Sequence, residues 1–162
     1  MTDIDQGETP ATTFSFDYSA YLAKEAARSR KAEELRPANK ATLFGALAAA
    51  EIVTVVVEFD GYGDSGQIES VDACDAHGDV ALPDAEVELA FPDGDGTGAT
   101  RRKLPIREAI EELAYALLEE THGGWENNDG AYGEFTFDVA EQTISLDHNS
   151  RYTAVETYSH GW

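Results

Sequence analysis

The sequence predicts an α+β domain in which helices pack on one antiparallel sheet, and three observations lead to this prediction. The β-branched run Ile52–Val57 is typical of a central strand that is buried on both faces. Apolar residues at helical spacing after Pro105 predict an amphipathic helix, and short polar turns near the C-terminus predict neighbouring antiparallel strands. The expected order is an N-terminal helix pair, a β-hairpin plus a strand, a central amphipathic helix and a C-terminal three-strand meander.

The N-terminal third predicts two helices separated by a proline. Tyr18–Leu35 has helical spacing, and Pro37 is expected to end this first helix. Asn39 is a plausible N-cap for a second helix, Lys40–Ala50, whose apolar stripe contains Phe44.

The next fifty residues are predicted to form strands separated by turns. A β-branched run followed by a glycine-rich turn predicts a hairpin, and the alternation at Glu86–Phe91 predicts a further strand. The expected elements are a strand at Glu51–Asp60, a glycine-rich turn at Gly61–Gly66, a strand at Gln67–Val71, a loop at Asp72–Pro83, a half-exposed strand at Glu86–Phe91 and a flexible turn at Pro92–Thr100.

The C-terminal third predicts the central helix and the meander. An apolar face is formed by Ile106, Ile110, Leu113 and Leu117, and the helix is expected to end at Gly123-Gly124. Three strands should follow, joined by turns at Ala140-Glu141 and His148-Asn149-Ser150: Tyr132–Val139, Thr143–Asp147 and Arg151–Tyr158. We expect residues 1–16 to form a flexible arm and residues 17–162 to form a single acidic α+β domain.

The charge of the chain is strongly negative and unevenly distributed. The formal net charge is −21. Residues 1–50 hold seven acids against six bases, whereas residues 51–162 hold 25 acids against 5 bases. Such a field repels nucleic acid and anionic membranes and attracts basic protein surfaces or cations, so direct nucleic-acid or membrane binding is not expected.

Other features narrow the class of protein. No apolar run approaches the roughly 20 residues of a membrane span, and the first ten residues do not resemble a signal peptide. The single cysteine, Cys74, has no internal disulfide partner. A cytoplasmic protein is therefore expected.

Two glycine-rich loops carry the most unusual local chemistry. The first, residues 60–66, contains Asp60, Asp64 and Ser65; the second, residues 123–134, contains Trp125, Glu126, Asn128 and Asp129. If they meet at one edge of the sheet, they form a joint acidic patch. No cofactor is expected, although a divalent cation held by Asp60, Asp64 and Asp129 stays open as a weaker alternative. Trp125 is either a functional side chain or a plug between the central helix and the sheet.

The two blocks Phe59-Asp60-Gly61-Tyr62-Gly63-Asp64-Ser65-Gly66-Gln67-Ile68 and Gly123-Gly124-Trp125-Glu126-Asn127-Asn128-Asp129-Gly130-Ala131-Tyr132-Gly133-Glu134-Phe135 resemble a family of uncharacterised bacterial proteins. Such proteins are carried on plasmids, prophages and integrated elements. The resemblance implies no known reaction. It implies a mobile-element context, in which small acidic proteins often resemble DNA mimics that block host defence nucleases, as anti-CRISPR and anti-restriction proteins do.

These observations favour a non-enzymatic, acidic protein-binding module, for instance a DNA mimic that inhibits a host nuclease or defence complex. The partner would be a basic protein surface, such as that of a nucleic-acid-binding protein. The expected contact surface combines both loops with the outer face of the central helix, which carries Glu108, Glu111, Glu112, Glu119 and Glu120. Two alternatives remain: a small metal-binding or hydrolytic enzyme that uses the two loops, and an acidic accessory protein without mimicry.

The first helix adds a separate hypothesis about its basic face. Lys24, Arg28 and Lys31 share one face at helical spacing. This face is expected to dock on the acidic body of the same chain or on that of a second copy, which leaves a homodimer open.

Overall fold

A computed structural model describes residues 17–162, so the predicted arm at residues 1–16 lies outside the described residues. It contains two helices and seven strands, here numbered in chain order. They are α1 (Tyr18–Ala49), β1 (Thr54–Tyr62), β2 (Ser65–Asp75), β3 (Gly78–Val80), β4 (Glu86–Pro92), β5 (Ala99–Pro105), α2 (Ile106–His122), β6 (Ala131–Asp138) and β7 (Thr143–Ser150).

The strands form two antiparallel sheets instead of the single sheet that was predicted. The larger sheet has the order β3-β2-β1-β6-β7, with β1 in the centre, and β4 pairs with β5 in a separate hairpin. Helices packed with antiparallel strands confirm the α+β class. The long connection from β3 through the β4–β5 hairpin and α2 brings β6 beside β1.

One face of the five-stranded sheet is covered and the other is open. Alternate residues of β1, Val55, Val57 and Phe59, are buried, as are Phe135 and Phe137 of β6. They pack in one core with the apolar residues of both helices and of the hairpin, which are Leu43, Phe44, Leu47, Val87, Leu89, Leu104, Ile106, Ala109, Ile110, Leu113, Ala114 and Leu118. The opposite face of β1 carries no buried residue. The central strand is therefore buried on one side only, contrary to the sequence prediction.

The predicted helix pair is a single helix that runs through Pro37. Proline removes one helical hydrogen bond and crowds the preceding turn, which normally bends or ends a helix. Here contacts on both sides of Pro37 hold α1 in place: Arg36 forms an ion pair with Glu120 of α2, and the Asn39 side chain pairs with β4. Asn39 Nδ2 donates to the Ala90 carbonyl at 2.8 Å, and Asn39 Oδ1 accepts from the Ala90 N–H at 2.9 Å. Asn39 therefore binds the edge of a strand and does not cap a helix.

Several strand boundaries also differ from the prediction. The predicted loop at Asp72–Pro83 contains the end of β2 and all of β3, and the predicted turn at Pro92–Thr100 leads into β5, which was not predicted. β5 was missed because its exposed side chains are mostly polar, and only Leu104 of its seven residues is buried. Pairing with β4 extends the segment without any apolar alternation.

The third strand of the predicted meander, Arg151–Tyr158, is wrong, because no residue after Ser150 belongs to a strand. The predicted turn at His148-Asn149-Ser150 is extended: Asn149 and Ser150 still pair with β6, and Arg151 N–H donates to the Gly130 carbonyl at 2.9 Å. The chain thus continues away from β7 and does not reverse. Among residues 17–162, no helix has the length and hydrophobicity that a membrane crossing requires.

Candidate protein-binding surface

The two glycine-rich loops meet, and the predicted turn at Gly61–Gly66 is tighter than the sequence indicated. Tyr62 pairs with Ser65, so only Gly63 and Asp64 turn the chain, both with positive φ angles (58° and 65°). This is the geometry of a two-residue hairpin whose twist matches that of its strands. Gly63 N–H donates to the Asn128 carbonyl at 3.1 Å, and Asp64 N–H donates to the Glu126 carbonyl at 3.0 Å.

Trp125 holds the loops together as a packing residue. Its side chain is only 7% exposed, and its ring meets that of Phe59 edge-on, with the centroids 5.4 Å apart. Gly61 and Gly66 lie against the indole, since a Cβ atom on Gly61 would approach Trp125 Cζ3 to 2.6 Å. The two glycines are therefore needed so that the backbone of the β1–β2 hairpin can lie against the indole ring.

Two carboxylates beside this contact, Asp60 and Asp129, have separate partners, whereas Glu126 Oε2 is buried with no hydrogen-bond partner among residues 17–162. Arg151 donates to Asp60 Oδ1 at 2.8 Å and to the Gly61 carbonyl at 3.1 Å, while Thr153 donates to Asp129 Oδ2 at 2.9 Å. Ser65, Asp64, Asn128 and Asp129 are exposed. No group of three or more His, Cys, Asp or Glu side chains within residues 17–162 is arranged to hold a metal ion, and Asp60, Asp64 and Asp129 form no such group.

The predicted acidic row on α2 is divided among different environments. Glu111 lies within ion-pair distance of Arg107, and Glu120 pairs with Arg36 of α1. Glu112 is half-buried, while Glu108 and Glu119 are exposed. Glu119 and Glu120 lie in the last turn of α2, which leads directly into the second loop. Their joint action with the loop residues stays a prediction.

The basic face of α1 lies beside the β4–β5 hairpin. A Cβ atom on Gly96 would come within 2.6 Å of the backbone nitrogen of Arg28, which shows how closely the tip of the β4–β5 hairpin approaches the helix. Hydrogen bonds from the Thr97 N–H and hydroxyl lower the pKa of the Asp95 carboxyl, and the charge of Lys24 adds to this effect. Arg28 and Lys31 form ion pairs within α1, with Glu25 and Glu34, and docking of this face on an acidic body stays a prediction.

The open face of the five-stranded sheet carries a dense acidic surface that the sequence analysis missed. Strands β1–β3 and their turns contain seven carboxylates, β6–β7 with their turn contain four, and neither segment contains Lys or Arg. Strand register and alternation place seven of these carboxylates on the open side. We call them the acidic face: Glu58, Asp60, Asp72, Asp79, Glu134, Asp138 and Asp147.

The centre of the acidic face is a row of three carboxylates on adjacent strands. Glu58 of β1 lies directly opposite Glu134 of β6, and Glu134 lies directly opposite Asp147 of β7. The three line an open groove of about 670 Å³ together with Asp60 and Glu69. The Ser70 hydroxyl donates to Glu58 Oε2 at 3.2 Å, but this neutral group does not balance the charge of the carboxylate. Within the described chain, Arg151 beside Asp60 is the only base that forms an ion pair with an acid of this face.

Two stacked histidines lie where α2 meets the covered side of β7. The rings of His122 and His148 are parallel within 6° with their centroids 3.7 Å apart, and His148 Nε2 is buried with no hydrogen-bond partner among residues 17–162. Burial lowers the pKa of the His148 imidazole, and the neighbouring His122 charge lowers it further. Both effects favour the neutral form of His148.

The histidine stack predicts a loss of stability in mild acid. Because the folded state depresses the pKa of His148, its stabilising contribution is complete above the ordinary histidine value of about 6.5 and is lost as the pH falls below it. Urea unfolding between pH about 5 and 8 measures this effect. The difference in unfolding free energy between the natural chain and His148→Gln should grow with pH across this window. A difference that does not change with pH contradicts the prediction.

The fold and this surface define a small α+β domain with a strongly acidic open sheet. Residues 35–162 match the model of the Family of unknown function (DUF6878). Because the match covers most of the chain, the protein belongs to this family, which confirms the expectation of an uncharacterised family. No curated protein and no solved structure matches the chain.

Proposed function

We propose that this protein is an acidic protein-binding module whose contact surface is the acidic face. Its partner presents a basic surface of the kind that binds nucleic acid, so that the carboxylates take the place of DNA phosphates. The two glycine-rich loops form one end of this surface, because Asp60 lies both in the first loop and in the groove.

The observation that carries the proposal is the row formed by Glu58, Glu134 and Asp147. Like charges directly opposite each other on neighbouring strands destabilise a sheet, by roughly 0.2–1 kcal/mol for each pair. A row selected only for stability would contain a base or neutral residues. A row of acids on an open face is instead suited to a cationic partner, which relieves the repulsion when it binds.

The spacing of the carboxylates supports a phosphate-like role. Neighbouring strands lie about 4.8 Å apart, and residues on one face of a strand are spaced by about 6.7 Å. The acidic face is therefore a two-dimensional array of charges at fixed positions on hydrogen-bonded strands. Duplex DNA also presents ordered charges, about one per 1.7 Å of its axis, to the basic residues of its binding proteins.

The most specific version of the proposal is that the protein inhibits a host nuclease or defence complex. The resemblance to proteins of mobile elements supports this version. Such an enzyme has a basic channel for its nucleic-acid substrate. An acidic domain that occupies this channel needs no catalytic residue. Its binding should therefore compete with duplex DNA and weaken as salt screens the charges.

The decisive comparison uses two variants with the same change in charge. Glu58→Gln, Glu134→Gln and Asp147→Asn together neutralise the row, whereas Glu108→Gln, Glu119→Gln and Glu141→Gln together neutralise three exposed acids elsewhere. We expect the row variant to gain about 0.5–2 kcal/mol of stability by losing repulsion. It should also fail to capture basic proteins from a host lysate at low salt. The control variant should keep this capture.

Thermal melting and pull-downs with and without added duplex DNA measure both effects. Higher stability together with lost binding would show that the row serves binding at a cost in stability. Acids that serve only solubility would not show this combination. Equal capture by the two variants, or capture that duplex DNA does not compete, would rule out the acidic face as a nucleic-acid-like surface.

A further inference from the structure

The segment after β7, residues 152–162, leaves four large apolar side chains in solvent. Tyr152 is 85% exposed, Val155 81% and Tyr158 76%, and Trp162 is fully exposed. The segment is attached to the body at its start, through the backbone and side chain of Arg151 and the hydroxyl of Thr153. Its residues have the β-branched and aromatic composition of a strand, yet no strand pairs with them.

The same region contains an unpaired strand edge. β7 is the last strand of the five-stranded sheet and pairs only with β6. Because Arg151 N–H donates to Gly130, alternation along an antiparallel strand directs the N–H groups of every second residue of β7, Ile144, Leu146, His148 and Ser150, away from β6. Within residues 17–162, none of these four groups donates a backbone hydrogen bond to a residue outside the strand ladder. β7 also contains no lysine or proline, the residues that commonly protect an edge.

The segment cannot return to this edge in its own chain. A hairpin onto β7 would need a turn near Asn149 and Ser150, but both residues pair with β6. The hydrogen bonds of Arg151 to Gly130, Gly61 and Asp60 then direct the chain past the end of β1. An unpaired edge and an unpaired strand-forming segment are therefore present in one molecule that cannot join them.

We propose that two copies of the chain exchange these segments, with residues 152–162 of each copy added as a strand to the β7 edge of the other. This is β-strand addition in a symmetric dimer, in which one surface pairs reciprocally with the same surface of its partner. It satisfies the outward backbone groups of β7 and covers the exposed aromatic residues. This inference does not depend on the acidic face having a partner.

The apolar area of the segments is large enough for such a dimer. A buried Tyr or Trp removes about 150–250 Å² from solvent, so Tyr152, Tyr158 and Trp162 of two copies contribute about 900–1,500 Å². Stable protein interfaces bury roughly 1,200–2,000 Å² in total. The side chain of Val155 and the paired backbones add to the aromatic contribution.

Charge also favours this segment as the contact between two acidic chains. Residues 152–162 contain one carboxylate, Glu156, and no Lys or Arg, so the segment can approach a second copy with little repulsion. The remaining repulsion between the two bodies should be screened by salt. Salt should therefore strengthen the dimer, although it should weaken the binding of a basic partner.

The molar mass of the full chain, measured by light scattering over a range of protein and salt concentrations, tests the proposal. We expect a dimer that becomes tighter with salt. A chain that ends at Ala154 keeps both anchoring residues and should be monomeric with unchanged circular dichroism. Ser150→Pro removes one outward N–H at an exposed position and should weaken the dimer at least tenfold. Tyr62→Ala, which removes an exposed aromatic residue elsewhere, should leave the dimer intact.

Mixing these two variants provides an independent measurement. The truncated chain retains the edge and Ser150→Pro retains the segment, so the mixture should contain a one-to-one complex at concentrations at which neither variant alone forms a dimer. A full chain that stays monomeric at all concentrations overturns the proposal. A dimer that persists after truncation also overturns it, because another surface must then join the two copies.

Discussion

Replacing Trp125 with alanine is expected to lower the free energy of unfolding by about 3–5 kcal/mol, the cost typical of removing a large aromatic side chain from a core. Trp125 is the only buried residue between Gly123 and Asp129 in the second loop. It packs against Phe59 and against Gly61 and Gly66 of the first loop. Without the indole, a cavity remains between the two loops. Urea unfolding followed by circular dichroism measures the loss.

Trp162→Ala is the matched control for this variant, because it removes the same side chain from a fully exposed position. Measured at low protein concentration, where any association of chains is negligible, it should change the unfolding free energy by less than about 0.5 kcal/mol. Similar losses from both variants would show that Trp125 does not join the loops.

Replacing Gly130 with alanine should cost more than about 3 kcal/mol. Gly130 has a φ of 78°, and an L-residue in this conformation costs about 1–2 kcal/mol before any contact is considered. A Cβ atom would also overlap the carbonyl oxygen of Gly61, a backbone atom of the central strand that cannot move alone. The variant must therefore separate β1 from the loop that precedes β6. Thermal and urea unfolding measure the change.

Gly63→Ala separates the effect of backbone conformation from that of the overlap. Gly63 has a φ of 58°, but no atom lies within 4 Å of its Cβ position. Only the conformational cost applies, so we expect a loss of about 1 kcal/mol. If Gly63→Ala is as damaging as Gly130→Ala, the close approach of the two loops is not what requires glycine at position 130.

The sequence predicted the elements whose signal is local. The helix after Pro105 was recognised because Ile106, Ile110 and Leu113 recur at helical spacing, and all three are buried. The rotation of this helix about its axis differs slightly from the prediction, because Leu118 is buried and Leu117, which was predicted on the apolar face, is half-buried. The predicted helix break at Pro37 was wrong because non-local contacts outweigh the local signal. Contacts from α2 and β4 preserve a helix that the local sequence disfavours.

The acidic face could not be assembled from the sequence because it depends on strand pairing. Within single strands, the acids could be placed on one face from the sequence, because Glu58 and Asp60, and likewise Glu134 and Asp138, are separated by an even number of residues. Their alignment with Asp147 depends on β6 pairing with both β1 and β7, and such register is a long-range property. The two loops were correctly recognised as unusual, but their close contact rests on Trp125 and on glycines whose neighbours are distant in sequence.

The distribution of bases has a practical consequence for chemical labelling and digestion. All four lysines, Lys24, Lys31, Lys40 and Lys103, lie on α1 or β5. The lysine side chains that react with amine reagents therefore all lie on α1 and the β4–β5 hairpin, and none lies on the acidic face. Trypsin, which cuts after Lys and Arg, finds no site between Lys40 and Arg101. Strands β1–β3 should consequently be recovered as one long peptide.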